Sequence, residues 1–458
     1  MDLIIKKDNI ISNGVVYKLE DLYSEEFYAE SNKVSGEYIV SSYLVNELFL
    51  YIVQPFLAVI FFIEKTSPEH VVFSKPDRIL SCYFSDACCR LKIPVKGNGM
   101  KKVFVRFAGD VSILATFFYI FFLLMRIPYE KIDLHWSEFT LTRDKASYSK
   151  MRNFNFHKEK EDPWSSDSIY RYFNKSLRIK WLWRSLWTSF AETKKLYIFL
   201  KEKTGKKTAT KLYERYSKRI VHTYLYANLL DELFKINSGS TYFTGLNLER
   251  FAIIEDMLAE KHNIRTICIP HGLEYGYKFP YGFSTQLFYT TSANAASHLN
   301  KLYGTQKFVF DASVAEKMFR TKSVVRNSEK RVVFFSEPRE PFVNINILRE
   351  LLPKCEDAGI ELYIKHHPGD NLDDYKEFDG CLHILNNLDE ALTNNICFAR
   401  KSTTLIEALY NRSKVAAIIT NNKDKSIFST FPSLQDENIK VYYDINSLFD
   451  WIVKEIKQ

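Results

Sequence analysis

The sequence predicts an α/β protein of at least two globular units, and three observations carry that prediction. The chain has 458 residues, more than one hydrophobic core ordinarily holds. It is 46% hydrophobic and 26% charged, as folded soluble proteins are, which excludes wholesale disorder. From about residue 239 onward, short apolar strand patterns alternate with helical patterns, and that alternation is typical of parallel sheet units.

The alternation runs to the C-terminus with one interruption. The polar stretch "RTKSVVRNSEK" (residues 320–330) is typical of a linker. Beyond it, the strand patterns "RVVFF", "IELYIK", "ICFA" and "VAAIIT" alternate with helical patterns, which predicts a doubly wound domain. We therefore predict two domains, residues 1–325 and residues 326–458.

Two segments of the N-terminal half are strongly apolar. Residues 43–63 contain Glu47, Gln54 and Pro55, which argue against a membrane-spanning helix. Residues 111–125, "VSILATFFYIFFLLM", are almost wholly apolar but fewer than the roughly 20 that span a bilayer. Two alternatives stay open for this second segment, a buried core helix and a helix lying in the plane of a membrane surface.

A third segment, residues 174–190, interleaves tryptophans with basic residues. Indole rings beside cations suit the headgroup layer of a membrane, where the cation meets lipid phosphate. The pattern could also stack on single-stranded nucleic acid, but no nucleic-acid-binding motif accompanies it. We therefore predict peripheral attachment to a membrane and no nucleic-acid partner. The predicted membrane-contacting residues are Trp181, Trp183, Trp187, Arg178, Lys180 and Arg184.

Charge and cysteine content restrict the partners and the compartment. The net charge of +8 favours anionic partners such as nucleotide-activated sugars and phospholipid headgroups. The seven cysteines are scattered without a Cys-x-x-Cys pair, so they indicate neither a disulfide framework nor a zinc site. The N-terminus lacks a basic region followed by an apolar core, so no signal peptide is expected. These features predict a cytoplasmic location.

Three polar loops of the C-terminal domain are predicted to meet at one edge of its sheet. Ser336-Glu337-Pro338, His366-His367-Pro368-Gly369 and Ser402-Thr403-Thr404 each follow a predicted strand, and open parallel sheets bind ligands beyond those strand ends. The third loop begins a helix. The free N–H groups of a helix start and the hydroxyls of this loop attract anions, and the basic pair Arg400-Lys401 directly before the loop favours phosphate binding further. The alternative is that Ser402 merely caps that helix. Alternation places His366 and His367 on opposite faces without deciding between them.

"IPHGLEYG" (residues 269–276) brings a histidine and a carboxylate together just past a strand of the N-terminal domain. Either His271 or Glu274 could take a proton from an acceptor hydroxyl as general base. A histidine is near its working pKa unaided, whereas a glutamate needs burial or a like charge to raise its own pKa. The alternative is that both residues are structural.

The motifs "FFSEP", "IKHHP", "KSTTLIEAL" and "IPHGLEYG" resemble the motif series of bacterial surface-polysaccharide glycosyltransferases with the GT-B fold. The nearest are those that use CMP-activated acidic sugars, the sialyl-, polysialyl- and Kdo-transferases of capsule and lipopolysaccharide synthesis. The resemblance covers roughly residues 240–458. It implies a GT-B-like α/β fold, with two Rossmann-type domains facing a cleft, to which this chain adds N-terminal helical, membrane-associating segments.

The resemblance also implies a reaction. An acidic sugar, sialic acid-like or Kdo, would pass with inversion from a CMP-sugar donor to a capsule or lipopolysaccharide glycan, free or lipid-linked. The enzyme would need no metal and no cofactor besides the donor, and would act at the inner face of the cell membrane. By position, His367 and Pro368 would hold the donor phosphate beside Ser402, Thr403 and Thr404. Ser336 and Glu337 would line the cytosine or ribose pocket.

The resemblance does not decide which residue is the general base, because this sequence matches two different family patterns in part. Sialyltransferases of this type place an acidic pair before a glycine, whereas Glu274-Tyr275-Gly276 supplies one carboxylate. Capsule Kdo-transferases and CDP-glycerol phosphotransferases show a His-Gly, as at His271-Gly272. A CDP-glycerol-type polyol-phosphate transferase with His271 as base is therefore the enzymatic alternative. A non-catalytic, membrane-bound partner in glycan assembly is the alternative of a different class.

Overall fold

The computed structural model describes residues 2–97, 105–141, 150–151, 154–155, 157–158, 168–270, 272–321 and 330–457. Over these ranges the chain is an α/β protein with three sheets, as the sequence predicts. It divides into two compact units, Met1–His271 with Tyr277–Phe288, and Gly272–Gly276 with Tyr289–Gln458. The predicted boundary at 325/326 falls outside the described residues. The second unit begins earlier than the predicted C-terminal domain, because Gly272–Gly276 and the helix after Ser292 bond to residues 430–435.

We call the unit that begins at Met1 the N-terminal unit and the other the C-terminal unit. The first sheet has five strands and belongs to the N-terminal unit. They are β1 (Asp2–Lys7), β2 (Asn9–Ser12), β3 (Val15–Tyr17), β4 (His70–Pro76) and β5 (Val95–Lys96). Their order is β3-β2-β1-β4-β5. The sheet is mixed, because β1 pairs antiparallel with β2 and parallel with β4. Leu3 and Ile5 alternate with more exposed residues along β1 and pack into a core with Phe56, Val59 and Phe84.

The second sheet contains the strands predicted between residues 239 and 290. Its members are β6 (Glu138–Thr140), β7 (His157–Lys158), β8 (Thr241–Thr244), β9 (Arg265–Cys268), β10 (Leu287–Tyr289) and β11 (Phe308–Val309). Their order is β11-β10-β9-β8-β6-β7. The pairs from β10 through β7 are parallel.

The third sheet is the doubly wound sheet that the sequence predicts. Its strands are β12 (Val332–Phe335), β13 (Leu362–Lys365), β14 (His383–Ile384), β15 (Ile396–Ala399), β16 (Lys414–Ile418) and β17 (Ile439–Tyr442). All are parallel, in the order β14-β13-β12-β15-β16-β17. Numbered within this unit, the order is 3-2-1-4-5-6, so the chain reverses its direction of winding between β12 and β15, where such sheets bind ligands. Both of these strands are buried throughout.

Helices connect the strands in both units. Among the described residues, those of the N-terminal unit are Glu25–Val34, Val45–Leu48, Gln54–Thr66, Arg78–Leu91, Val105–Arg126, Lys175–Thr204, Lys206–Ala209, Lys211–Tyr216, Ile220–Ile236 and Arg250–Lys261. Those of the C-terminal unit are Ala293–Tyr303, Ala312–Phe319, Pro341–Asp357, Leu388–Leu392, Thr404–Tyr410, Asn422–Ser429 and Ile445–Ile456.

A proline explains an irregular turn in the first apolar segment. Val45–Leu48 and Gln54–Thr66 are joined without a break by the π-helical turn Phe49–Val53. Pro55 has no N–H to donate to the carbonyl of Tyr51, four residues earlier. The hydroxyl of Tyr83 donates to that carbonyl at 3.3 Å, so the acceptor freed by the proline has a partner.

Within the part of the chain that the structure describes, two helical segments are long and apolar enough to cross a membrane, judged by length and composition alone. They are Val45–Thr66 and Val105–Arg126. Of the most apolar window of each segment, 67% is buried inside the protein in the first and 28% in the second. The two segments therefore differ in environment although they are alike in sequence character.

Candidate functional site

The three predicted loops of the C-terminal domain lie at one edge of the third sheet. Ser336 and Glu337 directly follow β12, His366 and His367 follow β13, and Ser402 comes three residues after the end of β15. Strands β13 and β15 flank β12 in parallel, so the carboxyl ends of all three strands point the same way. The structure thus brings these residues together at the point where the winding of the sheet reverses.

His367 presents a hydrogen-bond donor at this edge. Its Nδ1 accepts the N–H of Gly369 at 3.0 Å, so the proton of the neutral ring is at Nε2. The side chain is exposed, and the backbone N–H of His367 donates to the Ser336 hydroxyl at 3.1 Å. The loop therefore fixes both the backbone and the tautomer of His367.

His366 has a different environment. Its ring packs edge-on against Tyr375, with centroids 4.7 Å apart, and its Nδ1 lies 3.5 Å from Asp370 Oδ2. Burial lowers the pKa of His366, although the charge of Asp370 opposes this shift. Of the two histidines that the sequence left open, His367 is therefore the one exposed at the sheet edge.

Ser336 orders the histidine loop. Its hydroxyl donates to the carboxylate of Asp370 and accepts from the N–H of His367. The same carboxylate accepts the His367 N–H at 3.2 Å, and Ser336 is buried. Sequence reasoning missed Asp370, whose signal was its place directly after "HHPG". Ser336 therefore holds this loop in place. Its predicted lining of a nucleotide pocket stays a prediction.

Glu337 joins two of the loops. Its Oε1 accepts the N–H of Lys401 at 2.6 Å, and its Oε2 lies 3.3 Å from Lys401 Nζ. The ammonium group also pairs with Asp424. Because Glu337 follows β12 and Lys401 follows β15, these bonds hold the two strand ends of the winding reversal together.

Arg400 is fully buried, and its guanidinium bonds to other groups of the protein. Its guanidinium donates two bonds to Asp424, at 2.6 and 2.9 Å, and one to the carbonyl of Arg339 at 2.9 Å. Burial lowers the pKa of Arg400, but Asp424, Glu337 and Glu340 together raise it by more. Burial likewise raises the pKa of Asp424, but Arg400 and Lys401 lower it by more. Both groups are therefore charged at neutral pH.

The ion pairs at this edge balance one another. Lys423 pairs with Glu340 at 2.6 Å, and Arg400 approaches Glu340 at 3.4 Å. Three cations thus face three carboxylates. The predicted attraction of Arg400-Lys401 for a phosphate is consequently offset within the protein. The members of this network are Arg400, Lys401, Lys423, Glu337, Glu340 and Asp424.

Ser402 offers a second donor. Its Oγ accepts the N–H and the hydroxyl of Thr404, at 3.3 and 2.9 Å, so the Ser402 proton points away from both. Thr403, and not Ser402, occupies the cap position of the helix Thr404–Tyr410 and makes no capping bond through its side chain. Ser402 and His367 therefore present O–H and N–H donors in the loops that follow the two strands flanking β12.

Glu274 is fully buried among hydroxyl groups. Its carboxyl group accepts the N–H and hydroxyl of Thr291, at 2.6 and 2.8 Å, and the hydroxyl of Ser433 at 2.9 Å. The Thr291 and Ser433 hydroxyl oxygens are also 2.5 Å apart. Each hydroxyl contacts Glu274 Oε2 and the other hydroxyl, so these three oxygen–oxygen contacts need three protons. The hydroxyls carry only two, and a protonated Glu274 would supply the third. Burial raises the pKa of Glu274, although these hydrogen bonds oppose the shift. Both observations favour the protonated form of Glu274 more than solvent would at an exposed glutamate.

The structure does not bring Glu274 to the donor loops. Ser433 lies between the helix Asn422–Ser429 and the start of β17, which places it at the amino edge of the third sheet. Gly276 bonds there as well, through its N–H to the carbonyl of Thr430 at 2.6 Å. A cavity of about 560 Å³ at that edge is lined by Thr291, Lys414 and Lys440, and so is separate from the donor loops. His271, the other predicted base, lies outside the described residues.

The predicted membrane-contacting residues fall into two groups. Trp183 and Trp187 are exposed, as are Lys180 and Arg184. Arg178 and Trp181 are buried, which corrects their assignment to a membrane surface. The reason lies in the helix Lys175–Thr204, whose inward face carries both side chains.

No group of three or more His, Cys, Asp or Glu side chains within the described ranges is placed to hold a metal ion. No protein-family model matches the sequence, and no curated protein matches it.

Proposed function

We propose that the protein is an inverting glycosyltransferase that moves an acidic sugar from a CMP-sugar to a bacterial surface glycan at the cytoplasmic face of the membrane. The proposal includes a GT-B arrangement, with two Rossmann-type domains and a cleft that holds the donor. The observation that carries it is the pair of donors, His367 Nε2–H and Ser402 O–H, at the winding reversal of a 3-2-1-4-5-6 sheet. These are the positions that the motif resemblance assigns to the donor phosphate.

The electrostatics of this edge favour a monophosphate leaving group. The phosphate of CMP gains negative charge as the sugar departs, and preformed hydrogen-bond donors stabilise that charge. Because the neighbouring cations are matched by carboxylates, the site offers two donors without a large net positive charge. A diphosphate would bring more charge than these groups offset.

A panel of nucleotides tests the proposal. We expect CMP to raise the unfolding temperature of the full chain more than CDP, UDP, GDP or ADP does. His367→Ala is expected to weaken CMP binding about tenfold, the usual effect of losing one charge-assisted hydrogen bond. The matched control is His383→Ala, which removes an exposed histidine on β14 of the same sheet. Preferential stabilisation by UDP or GDP would overturn the CMP assignment.

The burial of Glu274 favours a second candidate, a polyol-phosphate transferase of the CDP-glycerol type with His271 as base. A fully buried acid cannot touch an acceptor hydroxyl in this conformation, which leaves the His-Gly pattern as the better match for the base. Product analysis with CMP-sialate, CMP-Kdo and CDP-glycerol distinguishes the two transferases. If His271→Ala and Glu274→Ala both leave glycan synthesis intact, the non-catalytic alternative replaces both.

A further inference from the structure

The helix Val105–Arg126 has one face in the protein and one apolar face outside it. We call the exposed side chains, which recur every three or four residues, the outer stripe. They are Phe107, Val111, Leu114, Phe118, Phe122 and Met125. A contiguous exposed apolar surface of this kind marks an interaction site in a soluble protein.

Close contacts fix this helix to the N-terminal unit near both of its ends. At Gly109 a Cβ atom would lie 2.5 Å from the ring of Tyr213, so only glycine permits the approach. At the other end, the buried Arg178 donates to the carbonyls of Leu124, Ile127 and Pro128, at 3.3, 2.8 and 3.0 Å. The helix therefore lies along the surface of the unit, and the outer stripe presents its apolar side chains in one row.

A cavity with basic residues adjoins the outer stripe. It measures about 490 Å³, within the usual size of ligand sites. One wall is the next row of the same helix, including Ser112, Thr116 and Tyr119. The opposite wall carries Lys218 and Arg219, whose side chains are exposed. We call this space the basic cavity.

Other charged groups of the cavity do not cancel these two cations. Arg250 also lines it, but its charge is balanced by Glu47, at 2.9 Å. The described residues that line the cavity include no aspartate or glutamate. Lys218 and Arg219 thus give it a net positive character beside an apolar helix face.

We propose that the basic cavity binds the phosphate headgroup of an anionic phospholipid, with the acyl chains beside the outer stripe. The charge complementarity with the lipid phosphate and the adjoining apolar row match the two parts of such a lipid, and this arrangement places the helix in the plane of the membrane. Trp183, whose ring packs on Phe117 of this helix at 4.7 Å and is exposed, supplies an aromatic group of the kind found at membrane interfaces. The inference rests on the proposed membrane attachment and not on the proposed transfer chemistry.

Vesicle binding by the purified full chain tests this site. We expect tighter binding to phosphatidylcholine vesicles that contain phosphatidylglycerol than to phosphatidylcholine alone. Lys218→Gln/Arg219→Gln is expected to weaken binding to the anionic vesicles about thirtyfold, because each of the two cations near the membrane surface strengthens binding about fivefold. The control Lys6→Gln/Lys96→Gln removes two exposed cations from β1 and β5 of the same unit and is expected to change binding less than about twofold. Equal losses in both double variants would overturn the site.

A steric variant separates the cavity from general surface charge. Ala115→Phe fills the basic cavity, which Ala115 lines, without altering any charge. Ala108→Phe makes the same change two turns earlier, at an exposed position outside the cavity. We expect only Ala115→Phe to reduce the preference for anionic over neutral vesicles. If both variants keep the full preference, headgroup binding in the cavity is refuted.

The phosphate could instead belong to a soluble molecule, and a competition experiment decides between these sources. Glycerol 3-phosphate and inorganic phosphate at millimolar concentration are expected neither to displace the protein from anionic vesicles nor to raise its unfolding temperature. Stabilisation that Lys218→Gln/Arg219→Gln abolishes would assign the cavity to a soluble phosphate and overturn the lipid assignment. The nucleotide panel tests the proposed transferase without any lipid. Failure of the lipid-binding proposal and failure of the transferase proposal can therefore be told apart.

Discussion

Two helical segments of the N-terminal unit are alike in length and mean hydropathy but differ in environment. Val45–Thr66 and Val105–Arg126 each have 22 residues, with mean hydropathies of 1.8 and 2.0 in their most apolar windows. The first is largely buried inside the protein, and the second carries the outer stripe. Apolar content alone therefore does not decide whether a helix faces a core or another medium.

The polar residues of each helix explain the difference. In the first segment, Asn46 donates to the carbonyls of Leu248 and Gly282, at 3.2 and 2.8 Å, and Glu47 pairs with Arg250. Such groups stabilise a helix only where the rest of the fold supplies partners. In the second segment, Ser112 and Thr116 bond to carbonyls four residues earlier, at 2.8 Å each, and need no partner outside the helix.

The largest effect is expected from Glu47→Ala. The substitution leaves the guanidinium of Arg250 without its counter-charge in a largely buried position, and we expect it to lower the free energy of unfolding by about 3–5 kcal/mol. Chemical denaturation of the purified protein measures this loss.

The matched control is Glu26→Ala, which removes a salt bridge to Lys65 of the same apolar segment. That pair is separated by 2.7 Å but is largely exposed on both sides, so its loss is expected to change stability little. Equal effects of the two substitutions would contradict the assignment of Val45–Thr66 to the core.

The next effect concerns the outer stripe. Phe118→Ser/Phe122→Ser removes two exposed aromatic rings and is expected to weaken vesicle binding about a hundredfold, as the loss of two partly inserted phenylalanines predicts. Flotation with lipid vesicles measures this change, and the unfolding temperature should remain close to that of the wild type.

Phe342→Ser/Leu372→Ser provides the comparison, because it removes two side chains of similar exposure from the C-terminal unit. It is expected to leave vesicle binding unchanged. If the outer-stripe variant binds vesicles as the wild type does, the exposed apolar face of Val105–Arg126 does not contact the membrane.

Periodicity was sufficient to predict four of the six strands of the third sheet. The strands β12, β13, β15 and β16 coincide with apolar runs bounded by turn residues, and their loops carry the polar motifs, so the edge that holds His367 and Ser402 could be inferred. Periodicity was also sufficient to question a spanning role for residues 43–63, because Glu47 interrupts their apolar character.

Long-range partners could not be predicted in the same way. Arg178 belongs to an amphipathic aromatic-basic pattern, yet its task is to bond carbonyls some 50 residues earlier in the chain. Asp424, in the helix Asn422–Ser429, neutralises Arg400, which directly follows β15. Glu274 likewise bonds to Ser433, far along the chain. Spacing within a motif carries no information about such pairings, which depend on how separate elements pack.

The smallest effect is expected at Glu274, a buried carboxyl group whose partners are neutral hydroxyl and N–H groups, whereas Glu47 faces the charged guanidinium of Arg250. Burial raises its pKa above the ordinary value of 4.5, so the folded state holds the proton more tightly than the unfolded chain does. Its favourable contribution is therefore complete below about pH 4.5 and declines as the pH rises towards the folded-state pKa. Glu274→Gln cannot titrate. We expect its unfolding temperature, measured against the wild type, to rise from pH 4 to pH 8, with the exposed Glu437→Gln as control. A difference that is constant across this range would mean that Glu274 is ionised in the folded protein.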